Sequence, residues 1–145
     1  MRYEHASAMP ILRIAGWFAA FLLGAGSCAG LAAAELKSGE SVYKETCFAC
    51  HATGVAGAPK YADKKTWVPL IKEGQPVLTA HAWVGVRGMP AKGGRADLSL
   101  EEFARAVAYM ARAADGSWKD PDAKILKRIQ EEEKERIKGM NSKKK

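Results

Sequence analysis

Three observations in this sequence predict an all-α fold. Helix start and stop signals recur between Ser38 and Gly139. Phe103, Ala106, Val107 and Met110 return at the spacing of one helix face, and no stretch alternates apolar and polar residues as a half-buried strand would. The expected organisation is about four helices over residues 35–117, followed by a charged helical extension over residues 118–145.

The chain begins with the pattern of an exported protein. Arg2 and Arg13 give a positive start, residues 14–24 form an apolar run, and Ala32-Ala33-Ala34 offers a small-residue cleavage site. Residues 1–34 are therefore expected to be a signal peptide, with Glu35 opening the mature chain and a periplasmic destination. The alternative is an anchor in the inner membrane, since residues 14–34 carry no charge and are long enough to span a bilayer. Cys28 falls in this segment and is treated as a bystander.

The first helix is expected to start at Ser38, which can cap Gly39-Glu40-Ser41, with Glu40 favourably placed in the first turn. It runs into Cys47-Phe48-Ala49-Cys50-His51. On a helical turn, residues three and four apart share a face. Two thiols and an imidazole so placed fit covalent attachment of a c-type haem, with His51 beneath the iron. A zinc site would need four N/S ligands, and beyond this run the mature chain adds only His81. A thioredoxin-like dithiol would need a βαβ setting, which the flanking sequence does not provide. Thioether attachment belongs outside the cytoplasm, in agreement with export. A covalently held haem also gives a domain of this size the apolar filling that it lacks.

The loop Gly54-Val55-Ala56-Gly57-Ala58-Pro59 breaks the first helix with small residues suited to lying against a porphyrin. A second helix is expected from the Asp63 cap to Glu73, ended by Gly74, and a third from Gln75 to Val84 with Pro76 in its first turn. Residues 85–97 read as an irregular glycine-rich loop. The last core helix is the best marked: Ser99 and Glu102 form a capping box, Leu98 can staple to Phe103, and Asp115-Gly116 closes it. The first and last of these helices are expected to cross. Beyond Trp118, Asp120-Pro121 reads as a cap and first-turn proline of a further helix. Its short stripe of Ile125, Leu126 and Ile129 stops at Glu131-Glu132-Glu133, too soon for a coiled coil. A solvated helix with a frayed lysine end is the expectation, a partner- or membrane-docking helix the alternative.

Charge follows the same division. Residues 35–117 hold eleven basic and nine acidic side chains, residues 118–145 ten and six. The basic surplus is concentrated in the tail and suits an acidic protein surface or anionic lipid. Nucleic acid is not an expected target.

The second axial ligand decides the chemistry. His81, Met89 and Met110 are the candidates, and the residues favour Met89, set between Gly88 and Pro90 in the loop that must return over the haem. Met110 suits core packing and His81 a surface hydrogen bond. His/Met ligation raises the reduction potential and leaves no open position at the iron, so electron transfer is expected and catalysis is not.

The residues just quoted, from Ser38-Gly39-Glu40 through the Cys47-to-His51 run to Lys60, Asp63-Lys64 and Trp67, resemble the class I cytochromes c, most of all the cytochrome c-five group. Gly85, Met89-Pro90, Lys92-Gly93-Gly94, Leu98-Ser99 and Ala106-Val107-Ala108-Tyr109-Met110 continue the likeness over about residues 36–112. The resemblance implies one haem c in a class I cytochrome c fold and a bacterial periplasmic electron carrier. It implies that Pro59 accepts from the His51 ring N–H and that Trp67 lies near a haem propionate. The cofactor-binding set is then Cys47, Cys50, His51, Pro59, Trp67 and Met89, with His51 and Met89 on the iron. Members of that group often carry a cysteine pair after the Gly-Gly; Arg95 and Leu98 stand there instead, so that disulfide is absent. Partners are expected to be a donor reductase and an acceptor oxidase or reductase, steered by Lys60, Lys92 and Arg95. A haem subunit of a larger oxidoreductase and a haem-based sensor or enzyme are the alternatives.

Overall fold

The computed structural model describes residues 35–143; the expected signal peptide, its cleavage site and the last two lysines lie outside the described residues. Six helices make up the architecture: α1 (Gly39–Val42), α2 (Phe48–His51), α3 (Lys64–Glu73), α4 (Gln75–Val84), α5 (Leu100–Ala113) and α6 (Ala123–Ser142). Among the described residues there is no strand, only an isolated bridge between Val86 and Met89. The fold is all-α, as the helical spacing predicts.

Local rules account for most boundaries. The Ser38 hydroxyl accepts from the Ser41 amide, and Asp63 accepts from the amides of Lys65 and Thr66 at the head of α3. Ser99 and Glu102 form the predicted capping box, and Leu98 and Phe103 are both buried in one cluster, as a hydrophobic staple requires. One feature was not legible beforehand. Tyr43–Cys47, between α1 and α2, is a π-helical turn, so the first helix is locally widened just where it enters the cysteine motif.

The core is built where α1 crosses α5. Gly39 sits at the crossing, where a Cβ would collide with the Arg105 carbonyl, so the two backbones approach as only glycine permits. Val42, Tyr43, Phe103, Ala106, Val107 and Met110 fill the space beneath. Tyr43, Tyr61 and Tyr109 stack outside it, with Tyr43 and Tyr61 centroids 4.5 Å apart. Burial first, then the hydrogen bond with Tyr109, pushes the Tyr61 hydroxyl up to about 12. The Tyr61 and Tyr109 rings stack with centroids 5.7 Å apart, which brings the loop after the motif against α5.

The tail departs from the solvated helix that its sequence suggests. Asp122, not Asp120, caps α6 by accepting from the Ile125 amide; Asp120 instead pairs with Arg112 at 2.9 Å. Ile129 is fully buried in a cluster with Ala80 and Ala104. Where the apolar stripe ends, polar side chains continue the docking: Glu133 accepts from Trp83 Nε1 at 3.1 Å and Arg136 Nη2 donates to the Gly85 carbonyl at 3.0 Å. One face of α6 is thus seated on α4, while the opposite face is exposed.

Two substitutions measure these contacts by denaturant unfolding of the haem-loaded protein. Gly39→Ala should cost about 1–3 kcal/mol through overpacking at the helix crossing. Ile129→Ala should cost about 2–4 kcal/mol through the cavity it leaves; a loss within 0.5 kcal/mol of zero, the range of ordinary surface changes, would show that α6 is not seated on α4 in solution.

Candidate functional site

One cavity of about 450 Å³ occupies the centre of the fold. Its walls come from every part of the sequence singled out above. Cys47, Cys50 and His51 contribute from the motif, Val55 to Pro59 from the small-residue loop, Trp67 from α3, His81 from α4, Met89 from the glycine-rich loop, and Met110 from α5. The cavity therefore brings together all six expected cofactor-binding residues and both rejected ligand candidates.

Backbone hydrogen bonds hold the walls in place. The loop after the motif is drawn back by Tyr61 N–H donating to the His51 carbonyl at 2.7 Å. His51 is buried, and its Nδ1 lies 2.8 Å from the Pro59 carbonyl. That carbonyl can only accept, so Nδ1 carries the proton and Nε2 keeps a lone pair free for a metal. Trp67 is buried beside it, its indole N–H donating to the Lys60 carbonyl at 2.8 Å. In the glycine-rich loop, Val86 and Met89 exchange two backbone hydrogen bonds of 3.1 and 2.9 Å, closing a tight turn with Arg87 at φ 52°. Gly85 precedes it at φ 98°, and a Cβ there would press on Met89 and Ala91 backbone. The turn fixes where Met89 stands.

Cys47 is buried and Cys50 exposed, and neither is in a disulfide. Burial, then the neighbouring Cys50, pushes the Cys47 thiol up to about 11. His81 Nδ1 lies 3.3 Å from Glu73 Oε2, so this candidate ligand has a carboxylate partner at the cavity wall. Met110 is 3 % exposed and belongs to the main core cluster.

The residues fit a haem. The lining is mostly apolar, as a porphyrin face requires. Two thiols stand on one wall beside a histidine whose tautomer leaves one ring nitrogen available. Two buried polar atoms without partners, Thr46 Oγ1 and Arg136 Nε, belong to residues of this same lining. A zinc site does not fit, because among the described residues no three His, Cys, Asp or Glu side chains cluster as metal ligands would.

Sequence reasoning nominated neither of the two arginines of the lining, Arg87 and Arg136. Arg136 follows Ile129 by seven residues and so continues its face, a signal hidden because the intervening stripe is polar. The steering residues expected earlier differ in what they have free. Lys60 is exposed, Lys92 lies 4.5 Å over the Trp83 ring, and Arg95 is paired with Asp97 through two hydrogen bonds of 2.9 and 2.8 Å.

Comparison with known proteins identifies the family. The family model described as cytochrome C oxidase, cbb3-type, subunit III matches residues 34–110. Cytochrome c-555 of Chlorobaculum tepidum is 42% identical over 80 residues, spanning 52% of this chain and 74% of the relative. Cytochrome c5 of Azotobacter vinelandii is 38% identical over 76 residues, spanning 51% of this chain and 92% of the relative. Among solved structures, a chain from the crystal structure of an electron transfer complex of nitrite reductase with cytochrome c is 42% identical. It superposes with a TM-score of 0.52 and covers 55% of this chain and 99% of that one. The family match ends at residue 110, before α6 begins. The chain belongs to the class I c-type cytochromes near the cytochrome c5 group, and its cofactor is one covalently bound haem c.

Proposed function

We propose that the protein is a periplasmic electron carrier whose haem is held by thioethers to Cys47 and Cys50 and ligated by His51 and Met89. The observation that carries this reading is the single cavity on which both thiols, the His51 imidazole and Met89 converge. When bound, the haem supplies a one-electron ferric/ferrous couple. The chain's residues do the rest. Pro59 fixes the His51 tautomer and ring plane through the 2.8 Å contact, and strengthens the ring as a donor to iron. The two-bond Val86–Met89 turn keeps Met89 in the wall without demanding helical geometry. Met89 is the second ligand we assign, because the short Val86–Met89 turn holds it on the cavity wall, whereas Met110 is packed in the core cluster. Trp67 supports the loop through Lys60, and its ring forms part of the floor on which a propionate would rest.

With both axial positions taken by protein, no site is open to substrate. The protein is then a carrier and not an enzyme, exchanging electrons at an exposed haem edge. Phe48, Cys50, Val55 and Arg87 are exposed around the cavity mouth or the motif, and Lys60 adds an exposed cation. These features suit docking to acidic redox partners, a donor reductase on one side and an acceptor oxidase or reductase on the other. One relative's structure is titled as a complex with nitrite reductase, which supports an acceptor of that kind. Residues 1–34 would be removed after export, leaving a haem domain over 35–117 and the extension over 118–145. No helix among the described residues is long and apolar enough to cross a membrane. The match to an oxidase-subunit family favours a second reading, a haem subunit of an oxidase. Migration of the native holo-protein as a monomer would exclude it.

Met89→Ala tests the ligand assignment in the ferric holo-protein. The weak far-red methionine–iron band should vanish, and the reduction potential should fall by on the order of 0.1 V within the roughly 0.8 V that axial ligands command. The reduced variant should take up carbon monoxide that the wild type excludes. A band that survives the substitution removes Met89 from the iron. Electron transfer to an acidic partner should also slow as salt rises from about 0.01 to 0.15 M, following the shrinking Debye length; a salt-independent rate would remove electrostatic steering from the mechanism.

A further inference from the structure

The helix that lies outside the family match sends one side chain into the haem cavity. Leu126, Ile129, Glu133 and Arg136 share a face of α6, and that face lies on α4. Arg136 lies at the far end of it and lines the cavity together with Glu73 and His81. Among the described residues, the acceptor found for its guanidinium is the Gly85 carbonyl, while its Nε is buried and meets none. Leaving a buried donor unmet costs about 1–3 kcal/mol, and more when the group is charged. Arg136 also borders an outer crevice with Glu132, but among the described residues no ion pair joins the two, and the cavity is the other place for an acceptor.

A haem brings two carboxylates into that cavity on its propionates. We propose that Arg136 donates to a haem propionate, which makes α6 part of the cofactor site. The other charged groups nearby do not fill this role. Glu73 on α3 faces His81 on α4 at 3.3 Å. Glu132 and Lys143, on and just past α6, line with Arg136, His81 and Met140 a separate outer crevice of about 230 Å³. Glu133 is held by the Trp83 indole. Arg87 is the other cation of the lining, but it is exposed at the tip of its turn. Arg136 is therefore the cation that the fold holds in place, anchored by Gly85 on one side and by the seated helix on the other. A guanidinium and a carboxylate match in shape and charge, and such pairs are stronger than neutral hydrogen bonds. A fixed positive charge beside the porphyrin favours the ferrous over the ferric iron, since the ferric state carries one more positive charge.

The proposal rests on the haem filling this cavity as argued above, and it is tested in the full-length holo-protein with Arg136→Gln and Arg136→Lys. Two readouts are compared with wild type: the ferric/ferrous ratio at a fixed applied potential, and the propionate bending band in the resonance Raman spectrum. The glutamine variant should shift the ratio roughly three- to tenfold toward ferric, tenfold being about 59 mV for a one-electron couple. Its propionate band should move, while the lysine variant keeps most of the wild-type ratio. Unchanged readouts in the glutamine variant overturn the proposal. So does an equal shift in both variants, because the effect would then follow from lost packing of α6 and not from the charge. The methionine–iron band recorded in the same samples reports the Met89 assignment separately, and its absence in wild type would leave the propionate comparison readable.

Discussion

The rest of the structure depends on the need to fill its own centre. The fold closes around a space of about 450 Å³ that its side chains leave to the cofactor. Protein interiors are close-packed, and a mostly apolar space of this size is one that a bound group completes. Haem is here a structural element as much as a redox one, and covalent attachment at Cys47 and Cys50 would make the filling permanent. The positions of the helices follow. α1 and α5 cross through Gly39 without a side chain between them, because the interior volume is reserved for the porphyrin.

The same constraint explains the irregular segments. A wall that must lie flat against a ring cannot be helical throughout, and here it is made of tight turns. Val55–Gly57 turns with Ala56 at φ 51°, Val86–Met89 closes on two hydrogen bonds, and Ala91–Gly94 brings Gly93 against the Thr46 methyl. Each turn is short because its end must meet a fixed point, whether the Pro59 carbonyl, the Met89 side chain or the motif helix.

How much of this was legible in the sequence depended on how local the cause was. The Ser38, Asp63 and Ser99 caps could be read because a side chain and an amide two or three residues away decide them, and the Gly74 and Gly85 limits of α4 because both glycines stand at positive φ. The six site residues could be nominated from the motif and the resemblance, and the fold places all of them on one cavity. The π-helical turn at Tyr43–Cys47 and the docking of α6 were not legible, because tertiary contacts decide both. In α6 the misleading cue was polarity. Glu133 and Arg136 read as solvated residues, yet each meets a partner some 50 residues earlier in the chain, the Trp83 indole and the Gly85 carbonyl. Asp120 was assigned the cap that Asp122 provides, since Arg112, distant by helix but near in space, competes for it. Arg95 shows the opposite failure: Asp97, only two residues away, offsets the charge for which Arg95 was nominated as a steering residue.

Docking one face of α6 changes what the tail can offer a partner. A free amphipathic tether would use its apolar stripe to bind elsewhere, but Ile129 is already buried within this chain. The face left outside carries Lys124, Lys127, Arg128, Lys134 and Lys138 against Glu131 and Glu135, all exposed. Ile137 is the large apolar side chain exposed among these charges, and the charges act mainly over the Debye length. Such a face is suited to raising encounter rates with an acidic partner and poorly suited to holding one. An electron carrier must dissociate after each transfer, and fast, weak docking serves that turnover better than tight binding. By this argument the inner face of α6 completes the domain while the outer face serves the encounter, and the two roles do not compete because they use opposite sides of one helix.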